Sequence, residues 1–238
     1  PSLWFRNTWS WGYENGPMND VPGKPILKQT HAGAQHAVVE MNHPAAGTYY
    51  LYAENADDLL FTENETNFAR FDSSANGHSY VKDAFHRYLV NAEQDAVNPS
   101  REGTKVAALY RGPIDPGMSR TIRLRLASAG QDEPFADFDT IFAHRLAEAD
   151  AFYNAIQKPD LSEDEKRVQR QALAGMLWTK QFFYYNIEQW LHGDPGFKSV
   201  PKRRRQGRNS EWQHLNNFDI ISMPDKWEYP WYAAWDLA

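Results

Sequence analysis

The sequence predicts an α+β, multidomain chain: an antiparallel β-sandwich over residues 1–130, followed by helices. Two observations carry this reading. Short runs of β-branched and aromatic residues, broken by turn formers, fill the first half, and beyond Gly130 the apolar period lengthens from two residues to three or four. Tryptophan follows the same divide, with Trp4, Trp9 and Trp11 at the start, six from Trp178 to Trp235, and none between.

The strands come first. HAVVEM (36–41), GTYYLYAE (47–54) and DLLFTENE (58–65) are separated by His-Pro, Ala-Gly and Asn-Ala-Asp breaks that favour turns. HSYVKDAFHRYLVN (78–91) fits a strand, a helix or an ordered loop. GPIDPGMS supplies turn chemistry before TIRLRLA (121–127), where Ile122, Leu124 and Leu126 alternate with Arg123 and Arg125, giving one dry face and one wet. An antiparallel sandwich is the natural container for such strands.

The helices follow. Phe138, Ile141, Phe142, Leu146, Ala149, Phe152, Tyr153 and Ile156 form one apolar face that ends before Pro159. Ser162 and Glu165 make the S-x-x-E pattern of a capping box, and Glu163 and Asp164 suit the positive end of a helix. The expected helix runs over 162–192 with Gly193 as terminator. Its stripe would be Val168, Ala172, Gly175, Met176, Thr179, Phe183, Asn186, Ile187 and Trp190, with a kink near Gly175. Two consecutive antiparallel helices suggest a larger helical array. The next stretch, 195–219, reads as loop; its basic cluster, Lys202 to Arg205 with Arg208, reads as solvated charge rather than a phosphate or nucleic-acid patch.

Composition narrows the chemistry. The 238 residues carry a net charge of -6, which argues against nucleic acid as a partner, and no cysteine, which removes thiol nucleophiles and Cys-ligated zinc. No apolar run is long enough to suggest a membrane span, and PSLWFRNTWSWG lacks the plan of a signal peptide, so a cytoplasmic protein is expected. The start at Pro1 and the unfinished pattern at Ala238 are read as cuts in a longer chain. His31 and His36 do not make a metal pair, Asn64-Glu65-Thr66 is a glycosylation sequon of the kind chance supplies, and no phosphate loop or G-x-S-x-G elbow is present. Neither a metal nor an organic cofactor is expected.

The densest chemistry is at the end. MPDKWEYPWYAAWDLA (223–238) sets Trp227, Tyr229, Trp231, Tyr232 and Trp235 among Asp225, Glu228 and Asp236. Aromatic faces stack on the C–H faces of sugars, and carboxylates bind hydroxyls or donate protons. The competing reading is an aromatic core rimmed by acids; the density of acids among rings favours carbohydrate. Desolvation by Trp235 would raise the pKa of Asp236, as proton donation to a glycosidic oxygen requires. Residue types alone do not single out which acid acts.

LWFRNTWSWG, LLFTENETN and above all RNSEWQHLNNFDIISMPDKWEYPWYAAWDLA resemble the microbial glucosidase-like branch of glycoside hydrolase family 63, relatives of the processing mannosyl-oligosaccharide glucosidase. The resemblance implies a β-sandwich over 1–130, a helical linker over 131–160 and, over 161–238, the opening helices of a C-terminal (α/α)6 barrel. It also implies inverting hydrolysis of terminal α-linked glucose from oligosaccharides. Trp235-Asp236 matches the family's Trp-Asp pair, which makes Asp236 the general acid. Trp227, Tyr229, Trp231 and Trp235 would line the sugar subsite, and Asp225 and Glu228 would bind hydroxyls.

The family's general base lies further along and is expected beyond residue 238, so residues 1–238 alone should be inactive. Glu228, Asp225 and Glu211 are poor substitutes, because an inverting pair stands roughly 6.5 to 9.5 Å apart across a sugar and a water. Two alternatives remain: another (α/α)6 glycosidase, of trehalose or mannosylglycerate type, and a non-catalytic carbohydrate-binding fragment. The sequence sets no oligomeric state.

Overall fold

The computed structural model describes residues 1–7, 9, 23–71, 76, 79–193, 200–207 and 210–222. The chain divides into two compact units, Pro1–Phe138 and Asp139–Ala238.

The first unit holds β1 (Ser2–Trp4), β2 (Ile26–Ala32), β3 (His36–His43), β4 (Gly47–Glu54), β5 (Asp58–Thr62), α1 (Ala84–Val90), β6 (Glu102–Gly103), β7 (Lys105–Leu109) and β8 (Leu124–Ala127). β6-β2-β3-β4-β8 form a five-stranded sheet and β1-β7-β5 a three-stranded one, with every pairing antiparallel. The alternation of the sequence sets which face is dry. Leu27, Ala37, Val39, Met41 and Ala53 of the larger sheet share one core with Leu59, Phe61, Val106 and Ala108 of the smaller, and Phe5 joins them. Within HSYVKDAFHRYLVN, Ala84–Val90 form α1, with Val81 and Ala84 buried. TIRLRLA contributes only four residues to β8. Its wet-face arginines are engaged, Arg125 with Asp137 at 2.6 Å and Arg123 with Glu54 at 3.8 Å.

The two sheets meet where β6 gives way to β7. A Cβ on Gly103 would lie 2.4 Å from the carbonyl oxygen of Thr62, so only glycine fits. Thr104 is fully buried and fully paired. Its N–H donates to Thr62 O at 3.1 Å, and its carbonyl accepts from Phe5 N at 3.0 Å. Its hydroxyl accepts from Asn64 N at 2.8 Å and donates to Glu63 Oε2 at 2.7 Å. Glu63 also pairs with Lys24 at 2.7 Å, and Asn64 Nδ2 donates to Phe5 O at 2.8 Å. The sequon asparagine is thus bonded, through the nitrogen a glycan would take, inside the folded unit.

The second unit holds the rest of α2 (Phe138–Ile156), then α3 (Glu163–Trp178), β9 (Lys180–Asn186), α4 (Ile187–His192) and β10 (Asn216–Ser222). α3 starts on the capping box: Glu165 N donates to Ser162 Oγ, and Ser162 N donates to Glu165 Oε2 at 2.8 Å. Its first turns meet the end of α2, where Arg170 lies 4.8 Å over the Tyr153 ring and Gln157 Nε2 donates to Lys166 O at 2.8 Å.

The expected plan of β-sandwich, helical linker and (α/α)6 barrel is not the architecture found. The described residues form three small antiparallel sheets and four α-helices. The single helix expected over 162–192 ends at Trp178, capped by Thr179, and KQFFYYN is a strand. It pairs with NNFDIIS in unbroken register from Lys180↔Ser222 to Asn186↔Asn216, a partner whose first four residues lie in the stretch read as loop. Aromatic residues suit the pleated surface, and Phe182 and Tyr184 pack edge-on against Phe218, with centroids 4.9 and 5.8 Å apart. Nor do the long helices form a packed helical layer. No residue of α2 or α3 is buried, and Phe142 is 68% exposed.

Two outcomes follow from these contacts. Gly103→Ala forces its methyl against a backbone carbonyl and should destabilise the protein by about 1–3 kcal/mol, read as a lowered midpoint in urea. Ser162→Ala should cost about 1 kcal/mol at the start of α3, read as faster amide exchange at Glu165 and Lys166. The bond from Ser162 holds the Glu165 carboxyl below its ordinary pKa. Its share of the cap is therefore present above the unfolded carboxyl value and is lost as pH falls through the folded one, so the same amides should lose protection in the acidic range.

Candidate functional site

The residues that sequence reasoning singles out, Asp225, Trp227, Glu228, Tyr229, Trp231, Trp235 and Asp236, lie outside the described residues. What is described is the scaffold just before them, β10 ending at Ser222, and a concavity of about 230 Å³ in the same unit. Tyr184, Tyr185, Asn186, Gln189, Trp190 and Arg204 line it.

Its geometry follows from the turn between β9 and α4. Asn186 leaves the strand in extended conformation and caps α4, its Oδ1 accepting from Gln189 N at 3.0 Å. Ile187 and Leu191, one helical turn apart, are buried, and Ile187 N donates to Leu215 O at 3.0 Å. This turns Gln189 and Trp190 toward the concavity. The Tyr184 hydroxyl donates to Gln189 Oε1 at 2.8 Å, which fixes the amide. Gly193 ends α4 at φ 84°, and a Cβ there would lie 2.3 Å from Val200 Cγ2.

Arg204 belongs to the basic run that the sequence marks as solvated charge, and the structure separates it from its neighbours. In the 3-10 turn Lys202–Gln206, Lys202, Arg203 and Arg205 are exposed. The Arg204 guanidinium instead lies 4.0 Å over the Trp190 ring, and its Nη1 donates to Trp190 O at 3.3 Å. A planar cation on an indole face is a cation–π pair, and it leaves Trp190 42% exposed for a ligand to meet. No local sequence signal marks Arg204, because the pairing joins residues across a turn.

The arrangement offers aromatic faces, two amides, phenols and a guanidinium, and among the described residues no carboxylate lines it. It suits recognition of hydroxyls rather than proton transfer. The described carboxyl groups with shifted pKa values all lie below the ordinary range: Glu93 through its bond to Arg87, Glu163 through Lys166, and Glu165 through Ser162. A general acid requires the opposite shift.

In the first unit, His36 packs its ring against His31, Tyr52 and Phe135, with centroids 5.5, 6.1 and 6.3 Å away. Among the described residues no group of three or more His, Cys, Asp or Glu could hold a metal ion. No described helix is long and apolar enough to cross a membrane.

Comparison with known proteins adds one relative. The chain is 37% identical, over 272 residues, to the uncharacterized protein YMR196W of Saccharomyces cerevisiae. The match covers all of this chain and 24% of the yeast protein, so the chain spans about a quarter of the length of the curated relative it matches. No family model matches the chain, and no solved structure does.

The cation–π pair is directly testable. Arg204→Ala should move the indole N–H resonance of Trp190 and make its ring more accessible to acrylamide. Arg204→Lys should recover little of either, since an ammonium lacks the planar stacking face.

Proposed function

We propose that this chain is a portion of an inverting α-glucosidase that hydrolyses terminal α-linked glucose from oligosaccharides, with Asp236 as its general acid. The observation that carries the reading is the Trp-Asp pair at 235–236, set in a stretch with three tryptophans, two tyrosines and three carboxylates. The Trp190 concavity supports it by placing sugar-compatible rings and amides in the same unit.

The chemistry is fixed by the reaction. Asp236 gives its proton to the glycosidic oxygen as the bond from that oxygen to the anomeric carbon breaks. A water attacks the opposite face of that carbon and yields its proton to a second carboxylate, so configuration inverts. Trp227, Tyr229, Trp231 and Trp235 stack on the departing glucose, and Asp225 and Glu228 accept hydrogen bonds from its hydroxyls. Proton transfer and water complete the reaction, and neither metal nor organic cofactor takes part.

The test uses the longest form of the protein its gene encodes, with kojibiose, nigerose, maltose and trehalose as substrates and proton NMR of the released sugar. β-Glucose should appear first from at least one glucoside, and Asp236→Asn should lower kcat by about 10²–10⁴ with KM little changed. Initial release of α-glucose, no hydrolysis of any of the four, or an Asp236→Asn rate within a few-fold of the parent would each overturn the reading.

A further inference from the structure

A second cavity, of about 370 Å³, opens in the first unit, remote in sequence from residues 223–238. Asp58, Tyr80, Tyr88, Asp95, Asn98 and Arg101 line it. We propose that this cavity is a binding site for a neutral, polyhydroxylated ligand, one or two sugar rings, held without turnover. The inference goes beyond the glucosidase reading and does not require it.

The wall is built before any ligand arrives. Asn98 is bonded from three sides: its N–H donates to Phe61 O at 2.9 Å, its Nδ2 to Glu102 O at 2.7 Å, and its Oδ1 accepts from Ser100 N at 3.0 Å. This ties the loop to the end of β5. On the opposite side Tyr88 rides on α1, whose C-terminal turn is clamped to the following residues by the 2.5 Å ion pair of Arg87 with Glu93 and by Glu93 N donating to Arg87 O. Tyr80 is fixed through its carbonyl, which accepts from Glu63 N at 2.7 Å. Preorganised walls of this kind spare a ligand the cost of ordering them.

Backbone strain brackets the same segment. Ala92 and Arg101 both sit at φ 57°, a left-handed conformation that side chains disfavour and that tends to persist at ligand sites. At Arg101 the consequence is visible. Its carbonyl accepts from Gln29 N at 3.0 Å while its guanidinium turns to Asp58, with Nη1 2.5 Å from Oδ1 and also bonded to the carbonyl of Leu59.

The lining selects the ligand class. Among the described residues one cation stands against two carboxylates, and that cation is already engaged by Asp58 and Leu59, so an anionic ligand meets net negative charge from them. Val97 and Pro99 are the wholly apolar side chains of the described lining, and the other side chains there carry polar groups. Two phenol rings offer faces to C–H bonds, while carboxylates, an amide and phenolic hydroxyls offer paired donors and acceptors to vicinal diols. The volume falls in the range of roughly 300–1,000 Å³ typical of small-molecule sites.

The experiment is an amide-resolved NMR titration of the whole 238-residue chain with maltotriose, α-1,2-mannobiose and trehalose, and with glucose 6-phosphate as anionic control. At least one neutral sugar, at up to about 10 mM, should shift the amides of Tyr88 and of residues 94–98. Asp95→Asn, at an exposed position, and Tyr88→Ala should each weaken that binding by about tenfold or more, with Asp236→Asn leaving it unchanged. Silence of these amides to all three neutral sugars overturns the proposal, as does binding unaffected by both variants or glucose 6-phosphate binding as tightly as the best neutral sugar. Because the readout is binding at residues 88–98, it can succeed where hydrolysis by Asp236 fails, and the reverse.

Discussion

At Gly103 and Thr104 the chain passes from the edge of one sheet to the middle of another, and the first unit is organised around that passage. A buried backbone leaving a sheet must still pair its N–H and C=O groups. Thr104 does so with Thr62 and Phe5, and its hydroxyl recruits Glu63 and Asn64. The absent side chain of Gly103 lets β6 lie against Thr62, so two sheets with separate edges share one apolar core. The proposed sugar cavity inherits its rigidity from the same place, since Asn98 and Arg101 are the residues that lead the chain into β6.

This dependence explains which parts of the fold were legible. Strands such as HAVVEM and DLLFTENE declare themselves through local alternation, and the capping box at Ser162 declares the start of α3. Residues 180–192 misled because Phe183, Asn186, Ile187 and Trp190 satisfy a helical period while KQFFYYN equally satisfies a strand. What decides between them is NNFDIIS, whose first residue lies thirty positions beyond the end of β9, and a window too short to contain both strands cannot register the pairing. The physical content of the β9–β10 ladder is therefore non-local: aromatic rings on facing strands, bonded backbones, and no local breaker until the partner is in view.

The proposed binding features rest on composition in one case and on position in the other. Tyrosine, tryptophan and acid enrichment is the compositional basis of the proposed carbohydrate reading, yet nothing in KRRRQ distinguishes Arg204 from its neighbours. Its role arises when a 3-10 turn brings it over Trp190. Likewise Arg101, at positive φ, donates its N–H to Asn98 O and accepts from Gln29 N, and neither partner marks the residue in sequence. Of the candidate site at 225–236, the sequence supplies the residue types and their order, and the described residues supply the ladder that precedes them.

The charge distribution assigns different work to the different surfaces. The cavity at Tyr80 and Tyr88 has carboxylates, and Asp58 accepts from the Arg101 guanidinium. Among the described residues the concavity at Trp190 has rings and amides and no carboxylate. The carboxyls with shifted pKa values, Glu93, Glu163 and Glu165, are held as anions by structural partners at a loop and a helix start. The general acid proposed for this chain, Asp236, directly follows Trp235 in the sequence, and desolvation by a ring of that size would penalise its anion.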